Sequence, residues 1–183
     1  KGKIRSLLEW KSGAVQEAPL GKKEYDNAQN EQQAAAIKQI LQLFGISGDT
    51  ADENFQKEIG HTRVSFWDCP LNRDYVKRLR SDNLPLTEAK SENRINRIAG
   101  TADPRQTERV PAGAQFDFKL TVKQFDGDEE ILLDTLLQGL KLLEWDSLGG
   151  SGSRGYGKVA FTAITRNGED ISSCFAAIQP FAK

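Results

Sequence analysis

The chain has 183 residues, 38% of them hydrophobic and 28% charged, and its formal net charge is −1. This length predicts one domain that can bury a core without disulfides. The composition excludes collagen-like, fully disordered and membrane-spanning chains, since no apolar run approaches the ~18 residues that a membrane span needs. The sequence contains no Met and begins at Lys1 without a signal-peptide pattern, which predicts that it begins inside a longer protein.

The charges are unevenly distributed along the chain. Residues 1–11 carry a net charge of +3, residues 126–146 carry −6, and residues 147–166 carry +3 with no acidic residue. A basic field over the whole protein, as in many nucleic-acid-binding domains, is excluded. The segregation still allows local basic surfaces on a nearly neutral molecule, although solvated surface charge explains the same pattern.

The cysteine and histidine content excludes several kinds of site. Cys69 and Cys174 lie far apart and form no CxxC pair, which predicts reduced thiols and a cytoplasmic protein. With His61 as the only histidine, a zinc site has too few soft ligands. No GxSxG motif places a nucleophile for a Ser-His-Asp triad, so we expect His61 to be a strand-edge residue.

The first part of the chain predicts helices separated by polar loops. In residues 1–11 the apolar residues recur with helical spacing, and a second helix is predicted for residues 34–44, ending at Gly45. Residues 12–33 and 46–60 are predicted to be loops.

The middle of the chain changes character twice. Residues 61–68 predict a strand, and residues 72–80 predict a short helix capped by Asn72. Residues 81–112 show little apolar periodicity and contain several Pro, Gly and Arg residues, which predicts an irregular insert without order of its own.

The last third of the chain has the strongest periodicity. Residues 116–122 alternate apolar and polar side chains, which predicts a half-buried strand, and residues 129–145 carry a leucine stripe typical of a buried helix. A further strand is predicted, with Val159, Phe161 and Ala163 on one face, that ends at a turn at Asn167-Gly168. Residues 171–181 are predicted to be extended or irregular.

This order predicts an α+β protein with a ferredoxin-like, RRM-like β-α-β-β-α-β core. The first strand of that core would precede Lys1 and is missing from the sequence. We therefore expect a single domain over residues 1–183, with a loop-plus-helix insert at residues 12–60 and a thumb-like insert at residues 81–115.

A glycine-rich stretch, residues 149–157, joins the last predicted helix to the strand after it. It contains GxGxxG and GxxxxGK literally, but both nucleotide-binding motifs require a strand before the loop and a helix after it. A flexible turn remains one interpretation. A loop for phosphates is the other, since glycines allow close backbone approach and Arg154 and Lys158 add positive charge.

Three stretches together resemble one family. Gly149–Val159 (GGSGSRGYGKV) resembles the glycine-rich loop of the RAMP superfamily of CRISPR proteins. Thr87–Phe116 is similar to the thumb of the backbone subunit of type III-A (Csm) effector complexes, and Lys1–Glu9 (KGKIRSLLE) resembles the first helix of that subunit.

The resemblance implies a subunit of a type III antiviral complex that polymerises along a CRISPR guide RNA and positions target RNA for cleavage at regular intervals. Its implied partners are guide RNA, single-stranded target RNA, further copies of itself and other effector subunits. No association with a membrane is expected. The implied RNA contacts fall on the first helix, the thumb and the glycine loop: Lys1, Lys3, Arg5, Arg97, Arg105, Arg109, Ser151, Gly152, Ser153, Arg154 and Lys158. For Arg105 and Arg109, local pairing with Asp103 and Glu108 is the alternative.

The resemblance also bears on catalysis. The family cleaves target RNA with a divalent metal, Mg²⁺, and with an Asp in a loop that would lie upstream of Lys1, so no catalytic residue is assigned in this sequence. Residues 12–60 contain no Cys, so we expect neither the zinc element common in the family nor any other cofactor bound by this chain. A non-catalytic structural RAMP module of a larger or fused effector is the main alternative. A guide-RNA-processing nuclease would need an acid–base set that one histidine does not supply.

Overall fold

The computed structural model describes residues 1–46 and 53–182 and has a mixed α+β architecture. No helix within those residues is long and apolar enough to cross a membrane. The elements, in chain order, are α1 (Gly2–Ser12), α2 (Lys22–Asp26), α3 (Glu31–Phe44), α4 (Glu53–Ile59), β1 (Val64–Phe66), α5 (Arg73–Ser81), β2 (Glu88–Ile95), β3 (Ala102–Arg109), β4 (Leu120–Val122), α6 (Ile131–Trp145), a 3₁₀ turn (Gly152–Arg154), β5 (Thr165–Arg166), β6 (Glu169–Asp170) and α7 (Ser172–Ala177).

The chain divides into two compact units. The core unit comprises Lys1–Phe66 and Thr121–Lys183, and the hairpin unit comprises Trp67–Leu120.

In the core unit, α1 packs antiparallel against α6, and both helices contact α3. Gly139 of α6 makes the close approach possible, since a Cβ at this position would lie 2.7 Å from Ile4 Cγ2 and 3.0 Å from Leu8 Cδ1. The leucine stripe of α6 is buried as predicted, with Leu136 fully buried against this interface. The predicted helices at residues 1–11 and 129–145 are confirmed within one or two residues.

The two loops predicted in the first third of the chain contain short helices, so that prediction was wrong for part of each. The helix expected to begin at residue 34 begins at Glu31, because the Asn30 side chain accepts a hydrogen bond from the Gln33 N–H at 2.9 Å. The five residues of α2 are too few to show a period. Phe55 and Ile59 of α4 are buried, and residues 47–52 of the second predicted loop lie outside the described residues.

The strands predicted for residues 61–68 and 116–122 are present but shorter. β1 pairs with β4, and Val64 at the start of β1 is buried. Phe116 and Phe118 remain 46% and 40% exposed, so the expected half-burial holds only from Leu120 onward. Pro70 lies opposite these residues, and its carbonyl accepts a hydrogen bond from the Asp117 N–H at 2.8 Å. Because proline has no N–H to donate, a regular ladder is interrupted here.

The insert expected to be irregular is largely a β-hairpin, which corrects the sequence prediction. β2 and β3 pair antiparallel from Glu88↔Arg109 to Ile95↔Ala102. At the turn, the Asn96 side chain accepts hydrogen bonds from the Ile98 and Ala99 N–H groups at 3.0 and 3.1 Å. Neither face of this hairpin is buried, and the half-buried residues of β2 are the charged Glu88, Lys90 and Glu92, so no apolar alternation marked it in the sequence. The helix predicted at residues 72–80 is confirmed, with Asn72 as its N-cap.

The last segment differs from its prediction in two places. Residues 159–163 form no strand; the Phe161 N–H donates instead to Glu144 Oε1 at 2.7 Å. The predicted turn at Asn167-Gly168 is confirmed, with φ of 52° and 90° at the two residues. The final piece, expected to be irregular, contains α7, whose Phe175 is buried.

Candidate nucleic-acid interface

The first turn of α1 and the end of α6 meet at one carboxylate. Lys3 Nζ lies 2.5 Å from Asp146 Oδ2, and the Lys158 ammonium donates to the carbonyl oxygens of Asp146 at 2.7 Å and Trp145 at 3.3 Å. The hydrogen bond from Lys3 holds the pKa of the Asp146 carboxyl below its ordinary value. Because Lys158 follows the glycine loop, two stretches predicted to bind RNA are adjacent here.

Lys1, two residues before Lys3, is exposed, whereas Arg5 is tied into the fold. The Arg5 guanidinium donates to Glu9 Oε1 at 2.7 Å and to the carbonyl oxygens of Gly45 and Leu20 at 3.0 and 3.3 Å. Arg5 would therefore reach a ligand only by giving up contacts that hold α1 to the residues after it.

The glycine loop, residues 149–157, is a tight and internally bonded turn. The Leu148 N–H donates to the Gly157 carbonyl at 2.8 Å and closes the loop. Gly157 has a φ of +70°, and a Cβ there would collide with the Leu148 carbonyl oxygen. A Cβ at Gly152 would collide with Ser147 Oγ. These two glycines therefore serve the shape of the turn itself, a role that neither the flexible-turn nor the phosphate-loop interpretation included.

The loop places several polar side chains on the surface, while part of its backbone is hydrogen-bonded within the turn. The N–H groups of Arg154 and Gly155 donate to the carbonyls of Ser151 and Gly152 at 2.9 and 3.0 Å, so they do not form an open ring of donors. The Ser151, Ser153 and Arg154 side chains lie on the exposed surface. The loop can therefore offer hydroxyls and a guanidinium to phosphate oxygens.

The predicted thumb residues lie on the hairpin of the hairpin unit. Arg97 is exposed at the turn. Arg105 pairs with Asp103 at 3.6 Å, as the alternative interpretation expected. The expected pairing of Arg109 with Glu108 was wrong: Arg109 pairs at 2.6 Å with Glu88, its cross-strand neighbour.

A buried ion pair lies beside β1, and no sequence motif predicted it. The Arg63 guanidinium donates to both carboxylate oxygens of Asp128 at 2.9 and 3.2 Å, and each side chain is only 7% exposed. These hydrogen bonds lower the pKa of the Asp128 carboxyl. Arg63 also donates to the Ile59 and His61 carbonyls at 2.5 and 2.6 Å. The partners lie 65 residues apart in the chain, so no local motif revealed them.

Within residues 1–46 and 53–182, no three His, Cys, Asp or Glu side chains come together in a group that could hold a metal ion. A Mg²⁺ ion held by one or two carboxylates together with a substrate phosphate would not need such a group.

Comparison with known proteins assigns the family. Residues 1–160 match the RAMP superfamily, and the chain belongs to it. Within that superfamily, curated relatives share the name "CRISPR system Cms endoribonuclease Csm3". The resemblance to the Csm backbone subunit that the sequence predicted is thereby confirmed.

Three of these relatives show the extent of the similarity. The protein of Methanothermobacter thermautotrophicus is 36% identical over 173 residues, with 90% of this chain and 65% of the relative covered. The Streptococcus thermophilus protein is 38% identical over 168 residues, covering 90% and 66%. The Mycobacterium tuberculosis protein is 37% identical over 179 residues, covering 90% and 67%. The chain thus spans about two thirds of the length of these relatives.

Proposed function

We propose that this chain is the guide-RNA-binding backbone subunit of a type III CRISPR antiviral effector, and that it positions target RNA for cleavage at regular intervals. The observation that carries the proposal is the meeting of Lys3 and Lys158 at Asp146. It joins the first turn of α1 to the residue that follows the glycine loop, so that a cation from each of these two segments contacts Asp146.

The chemistry of this surface suits an RNA backbone better than a single small anion. Lys1 and Lys3 supply point charges, while Ser151, Ser153 and Arg154 supply hydroxyl and guanidinium donors. Spaced donors of this kind bind successive phosphate and sugar oxygens without reading sequence. A backbone subunit needs that property, because its guide sequence varies.

The proposed fold is a ferredoxin-like core within a single RAMP domain, with residues 12–60 and 81–115 as inserts. Side-by-side packing of α1 and α6 supports this arrangement, as does the pairing of β1 with β4. In β-α-β-β-α-β order these are the two helices and the two middle strands. The β2–β3 hairpin would then be the thumb, with Arg97, Arg105 and Arg109 facing guide or target RNA.

The proposed partners are guide RNA, single-stranded target RNA, further copies of the chain and other effector subunits in the cytoplasm. The relatives' name includes endoribonuclease, and we extend a Mg²⁺-dependent cleavage of target RNA to the intact protein. A non-catalytic RAMP module is the second candidate.

RNA binding is tested by titrating a labelled single-stranded RNA with the chain at several salt concentrations. We expect affinity to fall steeply with salt, and the substitution Arg154→Glu to weaken binding about tenfold or more. Arg166→Glu is the matched control, since it changes the same charge on an exposed residue outside the loop. Salt-independent binding, or equal affinity for both variants, would contradict the proposal.

Cleavage is tested separately with a guide RNA, a complementary target and Mg²⁺. The Streptococcus thermophilus relative serves as the positive control. Products from both proteins would support the nuclease, whereas products from the relative alone would support the non-catalytic module.

A further inference from the structure

Helix α5 carries a row of cations that the proposed RNA surface does not include. Arg73, Lys77 and Arg80, here called the α5 stripe, are all exposed. At 3.6 residues per turn they fall within about 60° of one another around the helix. Over roughly 10 Å of helix length they form a straight line of positive charge.

The stripe faces away from the helix's own packing. Tyr75 and Leu79, on the opposite side of the helix, are buried. The apolar face is therefore already covered, and α5 has no apolar surface to insert into a membrane, as basic amphipathic helices at membranes do.

Little within the chain neutralises the stripe. Lys77 lies 3.3 Å from Asp74, in a pair whose two side chains are largely exposed and contribute little. Arg73 and Arg80 form no ion pair with any residue that the structure describes. The hairpin unit as a whole has ten basic and eight acidic residues, although the full chain is slightly acidic.

The helix is also held rigidly where the stripe begins. The Asn72 side-chain oxygen accepts from the N–H groups of Asp74 and Tyr75, both at 3.1 Å. Its amide donates to Asp117 Oδ1 at 2.8 Å, and its backbone N–H donates to the Gln115 carbonyl at 2.8 Å. Cations on an anchored helix lose less freedom on binding than cations on a loop.

We propose that the α5 stripe binds consecutive backbone phosphates of single-stranded RNA, as a site additional to the α1 and glycine-loop surface. This proposal rests on the proposed function, because the choice of RNA as the ligand of the α5 stripe depends on that function. A row of cations with two fork-shaped guanidinium groups and no apolar contact surface matches a phosphate backbone. An acidic protein partner is the competing occupant.

The test is the salt dependence of RNA affinity in the full chain. Replacing all three residues, Arg73→Gln, Lys77→Gln and Arg80→Gln, removes three phosphate contacts. The slope of log K against log salt should fall by about two, and affinity at low salt by roughly tenfold or more. The matched control replaces three exposed cations of the core unit, Lys23→Gln, Lys57→Gln and Arg166→Gln, and should leave the slope within experimental error.

A second variant separates charge from folding. Arg73→Lys with Arg80→Lys keeps the charge, so it should retain the wild-type slope, and circular dichroism should show unchanged helix content in every variant. If the wild type binds RNA and Arg154→Glu weakens it, but the triple variant keeps the wild-type slope, this proposal is overturned and the stripe is left to an acidic protein. If the wild type binds no RNA, the proposed function itself fails.

Discussion

The Lys3 ammonium and the Asp146 carboxylate, 2.5 Å apart, join the beginning of α1 to the end of α6. The same Asp146 offers its carbonyl oxygen to Lys158 at 2.7 Å. Asp146 thus contacts one cation of α1 through its carboxylate and the cation that follows the glycine loop through its backbone carbonyl, and both cations belong to the proposed RNA surface. Asp146 positions these cations and at the same time competes with phosphate for Lys3.

Replacing Asp146→Asn should strengthen RNA binding. The change releases the Lys3 ammonium and removes a negative charge from the surface, so affinity at low salt should rise several-fold. Titration of labelled single-stranded RNA measures it. Asp134→Asn on the exposed side of α6 makes the same charge change away from Lys3 and should have a smaller effect. Weaker binding by Asp146→Asn would mean that Asp146 acts mainly by positioning.

Gly157→Ala should disrupt the glycine loop, whereas Gly150→Ala should not. A Cβ at Gly157 collides with the Leu148 carbonyl oxygen, and the φ of +70° adds strain. A Cβ at Gly150 meets nothing within 4 Å. We expect a loss of RNA affinity of about tenfold for Gly157→Ala and less than about twofold for Gly150→Ala. Equal affinities would show that the loop's shape is not used in binding.

Asp128→Ala should destabilise the fold strongly. It leaves the Arg63 guanidinium buried without its carboxylate partner, and loss of one member of a buried pair costs about 3–5 kcal/mol. Urea unfolding at neutral pH measures the free energy. Asp126→Ala, on an exposed residue of the same turn, should change it by less than about 0.5 kcal/mol.

The same pair predicts how stability depends on pH. Arg63 lowers the pKa of the Asp128 carboxyl in the folded state, so the unfolded chain takes up this proton more readily. The stabilisation should be complete above the ordinary Asp pKa of about 3.9 and be lost as the pH falls through the lower pKa of the native state. Unfolding curves between pH 3 and 7 test this: Asp128→Asn should lack this share of the acid sensitivity, and parallel pH profiles would contradict the assignment.

The β2–β3 hairpin should be formed in the absence of RNA. Its ladder runs from Glu88↔Arg109 to Ile95↔Ala102, with the Asn96 side chain closing the turn. Amide hydrogen exchange of the free chain should show protection at alternate residues of both strands, whose N–H groups donate across the ladder, and rapid exchange at the other residues of each strand. Rapid exchange throughout both strands would show that the insert is disordered without RNA, as its composition suggested.

The elements that the sequence predicted well are those with one buried face. The leucine stripe of α6 and the apolar residues of α1 recur with helical spacing, because one face of each helix is buried in the core. The hairpin has no buried face, so its strands left no alternation to detect. At residues 159–163 an alternation was present without a strand: Phe161 packs edge-on against Phe175, with ring centroids 6.0 Å apart.

The parts of the candidate site that depend on local composition could be predicted from the sequence. The ion pairs between residues distant in sequence could not. Clusters of Lys, Arg and Gly are visible in any sequence, which is why α1 and the glycine loop were found. The carboxylate that unites them, Asp146, lies in a segment marked only as acidic. Arg63 and Asp128, like Arg109 and Glu88, are partners through the fold and not through sequence proximity.

Two of the hairpin arginines, Arg105 and Arg109, form ion pairs within the hairpin, and this pairing affects how they would contribute to RNA binding. Arg105 and Asp103, and likewise Arg109 and Glu88, form pairs without net charge. A phosphate that binds such a pair is not neutralised, so its condensed counterions are not released. The contact therefore adds little to the salt dependence of RNA affinity. These arginines would set the position of an RNA strand through geometry, equally well at low and at high ionic strength.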